Sequence, residues 1–329
     1  MGIKGYKAFG KGLICNPDGV AKQYKEHTTF EEDGDVNLGP CRKGVMHFCE
    51  DPFDILGRYP LFNSDGEITE IAEVEAVGDV RNYGNQSITN KLHIGAKLNL
   101  KGFVKACVDF TIEKTKFEID KDSDSDISSG DSAQIGSSGD SAQIGSSGYS
   151  AQIGSSGDSA QIGSSGDSAQ IGSSGYYAKI GSSGYSAKIG SSGDSAKIGS
   201  SGDSAQIGSS GYSAQIGSSG DYAQIGSSGD YAQIGSSGDY AKIGSSGYSA
   251  KITSEGRDSV VMAAGFGSMA KAKIGSWITL AEWGRVNNAD KNIWKPKCVK
   301  TEYVDGEKIK EDTFYKLIDG EFKEVKEND

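Results

Sequence analysis

The chain has 329 residues and a formal net charge of −11. That acidity argues against a protein that holds nucleic acid by neutralising phosphates, and favours solubility or a basic partner. The length allows two or three units of organisation, and no 18-residue apolar run is present to cross a membrane.

Met1-Gly-Ile-Lys-Gly-Tyr6 is not followed by the apolar core of a signal peptide, and Tyr6 stands where a myristoylation pattern needs Ser or Thr. Residues 1–120 read as an α+β or mostly β domain. Tyr6–Phe9, Leu13–Cys15 and Val45–Cys49 predict short strands. Asp51-Pro52 predicts a helix start, with Asp as N-cap and Pro at the first helical position. Phe53, Leu56 and Tyr59 would be its buried stripe, ending before Pro60. Ile68–Val80 alternates in part and predicts one or two strands at a sheet edge. Residues 121–127 are an acidic Ser/Asp run, either a hinge or an irregular first rung.

Residues 128–253 are one nine-residue phrase, Ser-Ser-Gly-(Asp/Tyr)-(Ser/Tyr)-Ala-(Gln/Lys)-Ile-Gly, written fourteen times, with Thr253 in place of the last Gly. A fixed short period means a solenoid, because one unit cannot bury an apolar face without a stacked neighbour. Ala and Ile two apart, as in Ala133 and Ile135, share one face of a strand while Gln134 takes the other. On a helix the pair would splay by about 200°. Ser-Ser-Gly is the expected turn, with Gly130, Gly139 and their equivalents suited to positive φ.

Two units per coil would give a flat roll with two facing sheets. Three would give a prism that one Ala and one Ile per side fill poorly. The charge pattern pulls the other way: two per coil stacks Lys179 over Lys197, whereas three per coil stacks Tyr149 over Tyr176 and Tyr185 over Tyr212. Exposed like charges cost only a few tenths of a kcal/mol, roughly, so the two-unit roll is expected.

Residues 254–276 keep part of the nine-residue beat at Gly256 and Gly265 but change the text to Val260, Val261, Met262 and Met269, as a terminal cap does. Residues 277–329 predict a small β meander. Ile278–Trp283 is a strand, and Asp305-Gly306 and Asp319-Gly320 are hairpin signals. The fold class is therefore mainly β: a nonapeptide β-solenoid between an α+β N-terminal domain and a C-terminal β region.

Four phrases carry a family resemblance: Gly5-Tyr-Lys-Ala-Phe9; Gly44-Val-Met-His-Phe-Cys-Glu-Asp-Pro-Phe-Asp-Ile-Leu56 with Tyr59-Pro60; Ala72-Glu-Val-Glu-Ala76 with Gly78; and Gly275-Ser-Trp-Ile-Thr-Leu-Ala-Glu-Trp283. Together the flanks resemble a family of uncharacterised proteins of bacteriophages and prophage-bearing Firmicutes, with a Gly/Ala/Ser solenoid of variable length between them. Val45-Met46 stands before His47 where those relatives usually have one aromatic or aliphatic residue. The resemblance implies a phage gene acting in a bacterial cytoplasm, and no reaction.

Candidate chemistry is sparse. Cys15, Cys41, His47 and Cys49 are residue types that bind zinc, but no Cys-x-x-Cys pair occurs, so buried reduced thiols and a buried imidazole are expected. A calcium roll would need an unbroken Asp column, and Tyr149, Tyr176, Tyr185, Tyr212 and Tyr248 interrupt it. No cofactor is implied. An ADP-ribosyltransferase-like enzyme in the N-terminal domain, with Glu73 or Glu75 as acid, is one alternative; a structural spacer or virion component is another. The favoured expectation is a non-enzymatic protein-binding solenoid, imitating a DNA duplex in part, that antagonises a host enzyme or defence protein. Its ranks would be Asp131, Asp140, Asp158 and Asp167 at turn corners, and Tyr177, Tyr222, Tyr231 and Tyr240 on outward strand faces. The partner would be a host or phage protein, basic or itself nucleic-acid-binding; self-association is also compatible with the repeat.

Overall fold

A computed structural model describes residues 2–15, 21–39, 44–61, 69–114, 125–128, 130–288 and 291–326. The chain divides into two compact units, Met1–Phe110 and Thr111–Asp329.

In the N-terminal unit, β1 (Ile3–Phe9), β2 (Ile14–Cys15), β3 (Lys22–Gln23), β4 (Thr28–Glu31), β5 (Met46–Phe48), β6 (Glu70–Ala76), β7 (Val80–Asn82), β8 (Ser87–Thr89) and β9 (Lys91–Leu98) are joined by two helices, α1 (Pro52–Ile55) and α2 (Leu100–Lys114). One antiparallel sheet has the order β1-β6-β9-β4 and a smaller one β5-β8-β7. The expected edge strand is thus central, since β6 pairs with β1 on one side and β9 on the other. Its Ile71, Ala72, Val74 and Ala76 are buried. Apolar residues on both faces are what a strand covered on two sides needs.

Helix α1 starts as its sequence dictates: the Asp51 carboxylate accepts from the Phe53 N–H at 2.8 Å, and Pro52 opens the helix. Phe53, Ile55 and Leu56 are buried, but Tyr59 lies exposed beyond the last turn. Helix α2 lies outside the sequence-based expectations. Its buried Leu100, Phe103, Val104, Cys107 and Val108 follow the i, i+3, i+4, i+7, i+8 spacing of an amphipathic helix. Asn99 begins it by accepting from Gly102 N–H at 2.8 Å.

The solenoid has two repeat units per coil. Each strand pairs in parallel with the next but one along the chain, so that Gln134–Ser137 lies on Gln152–Ser155 and Lys179 lies beside Lys197. Alternate units build two sheets, of ten and eleven strands once the flanking strands are included. Ser125–Ser128 already pairs with Gln143–Ser146, so the rod begins one rung before the first repeat. Tyr149 and Tyr176 do not stack, because they lie three units apart and so belong to different sheets and corners.

Ala and Ile point inward: the Ala side chains from Ala142 to Ala250 are fully buried and the Ile from Ile144 to Ile252 nearly so. Each buried Ile contributes about 2 kcal/mol of hydrophobic stabilisation. A third tooth comes from the first Ser of each unit, such as Ser146, Ser164 or Ser182, which ends the strand and is buried. From Ser137 to Ser191, and again at Ser245, its hydroxyl accepts from the N–H of the glycine two residues on, as in Gly148 N to Ser146 Oγ at 3.2 Å, whereas the buried hydroxyls of Ser200, Ser209, Ser218, Ser227 and Ser236 make no such bond.

The glycine of Ser-Ser-Gly does not adopt positive φ, contrary to expectation; it is required by close approach. A Cβ added at Gly157 would sit 1.9 Å from the carbonyl oxygen of Gly139, one coil below. The residue two places later is the one that turns left-handed in the later coils, at Ser195, Tyr222, Tyr231 and Tyr240.

Beyond the repeats, Val260–Ala263, Met269–Lys271 and Trp277–Asn288 continue the two sheets in parallel. Lys291–Tyr303 then folds back antiparallel on Trp277–Asn288, closing one sheet, while the hairpin Tyr315–Ile318 and Glu321–Glu324 closes the other. Asp319 and Gly320 both have positive φ, as a two-residue hairpin turn of this sequence needs. Asp305-Gly306 instead joins the two sheets, the Asp305 carboxylate accepting from the N–H groups of Glu307, Lys308 and Ile309.

Candidate functional sites

The corners of the roll carry every residue expected to bind. Asp131 and Asp167 lie on one corner, Asp140 and Asp158 on the other, and all four are exposed. Tyr177, Tyr222, Tyr231 and Tyr240 are exposed too, but they stand in the corner turns and not on strand faces, because each strand begins only at the following Gln or Lys.

Identical text adopts two corner geometries. In the early coils the N–H of the fifth residue donates backward, as in Ser150 to Asp131 O and Ser186 to Asp167 O, both 2.7 Å. From Ser195 onward the same N–H donates forward: Ser195 to Tyr212 O at 2.7 Å, Ser204 to Asp221 O at 2.8 Å. The flipped peptide leaves the next coil's N–H facing a carboxylate. Tyr212 N donates to Asp194 Oδ1 at 2.9 Å, Asp221 N to Asp203 Oδ1 at 2.9 Å, and Tyr248 N to Asp230 Oδ1 at 2.7 Å. Left-handed φ costs about 1–2 kcal/mol at a non-glycine residue, which these bonds offset. The cap holds the same turn with Asp258 and Gly267, so the flipped geometry is continuous with the C-terminal end.

In those later coils the rings form a ladder. Tyr212 and Tyr231 have centroids 5.1 Å apart, Tyr231 and Tyr248 5.4 Å, Tyr248 and Phe266 5.3 Å, and Phe266 and Trp294 4.3 Å. Arg285 lies over Trp294 at 5.2 Å. The opposite corner has one stacked pair, Tyr222 and Tyr240 at 5.1 Å. Tyr231 is among the residues expected from the sequence to bind; Tyr212, Tyr248, Phe266 and Trp294 are not. A shallow trough of about 1400 Å³ also runs along the ten-stranded sheet, floored by glycines such as Gly172 and Gly208 and edged by Gln and Lys, but no charged groups converge in it.

The N-terminal unit holds a separate cavity of about 610 Å³. Reciprocal bonds between Tyr6 and Cys49 (2.7 and 2.8 Å) tie β1 to the end of β5, and Lys7 Nζ donates to the His47 carbonyl at 2.8 Å. The ammonium also faces the rings of Phe9 (5.6 Å) and Tyr24 (5.9 Å). Burial holds the Lys7 pKa below its ordinary value. Burial, then the charges of Lys7 and Arg58, pushes the His47 imidazole down to about 4. Burial pushes the Cys49 thiol up to about 11 and raises Cys15 as well. Both thiols are thus neutral at pH 7. Cys41 lies outside the described residues, and Cys15, His47 and Cys49 form no three-residue metal cluster among them. Glu73 and Glu75 do not line the cavity.

Residues 3–106 match the model of a family described as a domain of unknown function, DUF7666. No curated protein and no solved structure matches the chain. Among the described residues no helix is long and apolar enough to cross a membrane.

Proposed function

We propose that this is a non-enzymatic, protein-binding solenoid of phage or prophage origin, working in the bacterial cytoplasm on a basic host protein. The observation that carries this reading is the ring ladder Tyr212–Tyr231–Tyr248–Phe266–Trp294 along one corner. Tyrosine and tryptophan on a rigid edge give large contact area at low entropic cost. Asp194 and Asp230 stand at the same corner, each with one carboxylate oxygen bound to the next coil. Their charge steers a basic partner, while the rings supply most of the affinity. The phage context rests on the four flanking phrases. The acidic rank reads as a partial imitation of DNA, interrupted by Tyr and Lys.

The test is capture of partners from a bacterial host lysate by three chains. The wild type and a control with Tyr149→Ser and Tyr185→Ser should recover the same protein. Tyr212→Ser with Tyr231→Ser and Tyr248→Ser should lose it. Equal recovery by all three would rule out the aromatic corner as the binding surface. A spacer, by contrast, would be indifferent to all these changes.

A further inference from the structure

The cavity of the N-terminal unit is a site of a different kind from the solenoid corner and stands independently of it. Its volume suits a ligand of nucleotide or aromatic-acid size. The chain carries 45 acidic residues, yet none of the described residues lining this cavity is Asp or Glu. Lys7, His47 and Arg58 do line it.

Lys7 is the key group. Its ammonium has three donors, of which one is used on the His47 carbonyl. Its other neighbours are the faces of Phe9 and Tyr24, and no carboxylate of the described residues pairs with it. The nearby thiols, being neutral, supply no counter-charge. Lys22, the next cation, is already paired with Glu32. Lys7 is half-buried, and a cation drawn partly out of water without a counter-charge is unfavourable, so the site becomes more favourable when an anion enters. The cavity's walls are apolar and aromatic: buried Phe9, Tyr24, Phe48 and Ile55 line it, and exposed Arg58 and Tyr59 stand among the lining residues. Arg58 is oriented by donating from Nη2 to Asn85 Oδ1 at 2.8 Å.

We propose that this cavity binds a small organic anion, its carboxylate or phosphate paired with Lys7 and its flat apolar body against the aromatic walls, with Arg58 adding attraction. The pairing of a charged head with a planar body distinguishes this ligand from a free inorganic ion.

The experiment uses the full chain, with simple probes standing in for the natural ligand. Binding of benzoate, phenyl phosphate and adenosine 5′-monophosphate is compared with that of neutral benzamide and of inorganic phosphate, by calorimetry and amide chemical-shift mapping at millimolar probe. At least one organic anion should bind, shifting the amides of Lys7, Phe9 and His47, while benzamide and inorganic phosphate bind at least tenfold more weakly. Which head group wins separates a carboxylate from a phosphate ligand. Lys7→Met, checked for cooperative melting, should weaken the anion at least tenfold, and Arg58→Gln by a smaller factor. Absence of binding by all three anions, benzamide binding as tightly as benzoate, or a folded Lys7→Met chain that binds unchanged would each overturn the proposal.

Discussion

The solenoid and the N-terminal unit solve burial in opposite ways. In the solenoid each residue has a twin in the next coil, so a side chain's surroundings follow from its column. In the N-terminal unit Lys7 meets the carbonyl of His47, far along the chain, a setting made by one tertiary contact and not by a repeat. The difference teaches that repetition makes a surface, whose affinity comes from many equivalent contacts. A unique packing makes a cavity, whose chemistry hangs on one or two groups.

Substitutions can break this contrast, beginning with the solenoid core. Ile216→Ala, at a fully buried tooth, should destabilise the rod by about 4 kcal/mol in denaturant unfolding. The same change at Ile198 or Ile234 should match it within about 0.5 kcal/mol if columns are equivalent. Gly211→Ala should cost roughly 3 kcal/mol, because the new Cβ would lie 1.9 Å from the Gly193 carbonyl and a backbone must move.

The N-terminal unit should respond to acid instead. His47 is held neutral down to about pH 4 when folded, against 6.5 when unfolded. Between those values the unfolded chain binds a proton that the folded one does not, so stability falls as pH drops from 6.5 to 4 and levels off below. Partial exposure screens the effect to about 1–2 kcal/mol. The His47 ring resonances should titrate near pH 4, and His47→Gln should remove the loss.

Smallest of all should be Gly208→Thr. A Cβ there meets nothing within 4 Å, and Thr253 already occupies the equivalent place on the other sheet. Melting should change by no more than about 0.5 kcal/mol, in contrast to the nearby Gly211.

Much of the rod is legible in its text because strand alternation is a local rule. Ala and Ile two apart identify the inward face, and carrying the same alternation past Gly to the next Ser would also have found the third tooth at Ser146 or Ser182. The role of the Ser-Ser-Gly glycine is less accessible, since its constraint comes from a carbonyl one coil away and not from its own φ. The ring ladder hides for a related reason. Tyr212 and Tyr248 are fourth in their units while Tyr231 is fifth, so the three do not fall in one column of the text. They align because the fourth and fifth positions of a unit both project from the corner. Helix α2 had a readable stripe at Leu100, Phe103, Val104 and Cys107. The cavity had none: β1 reaches β5 through the Tyr6–Cys49 bridge and the Lys7–His47 bond, both between residues far apart in the chain, and nothing in Gly5-Tyr-Lys-Ala-Phe9 marks its lysine as facing a cavity.

The shared corner of Tyr212, Tyr231 and Tyr248 exists only if two units complete each coil. Spin labels at Gln134→Cys and Lys242→Cys, in a chain whose native cysteines are replaced by alanine, test this directly, because both sites open a strand of the same sheet. Two units per coil place six rungs between the labels, a distance of about 29 Å, whereas three units would place four rungs and about 19 Å. The result predicted is the longer separation, about 29 Å. The shorter one, about 19 Å, would contradict the two-sheet roll and disperse the aromatic corner with it.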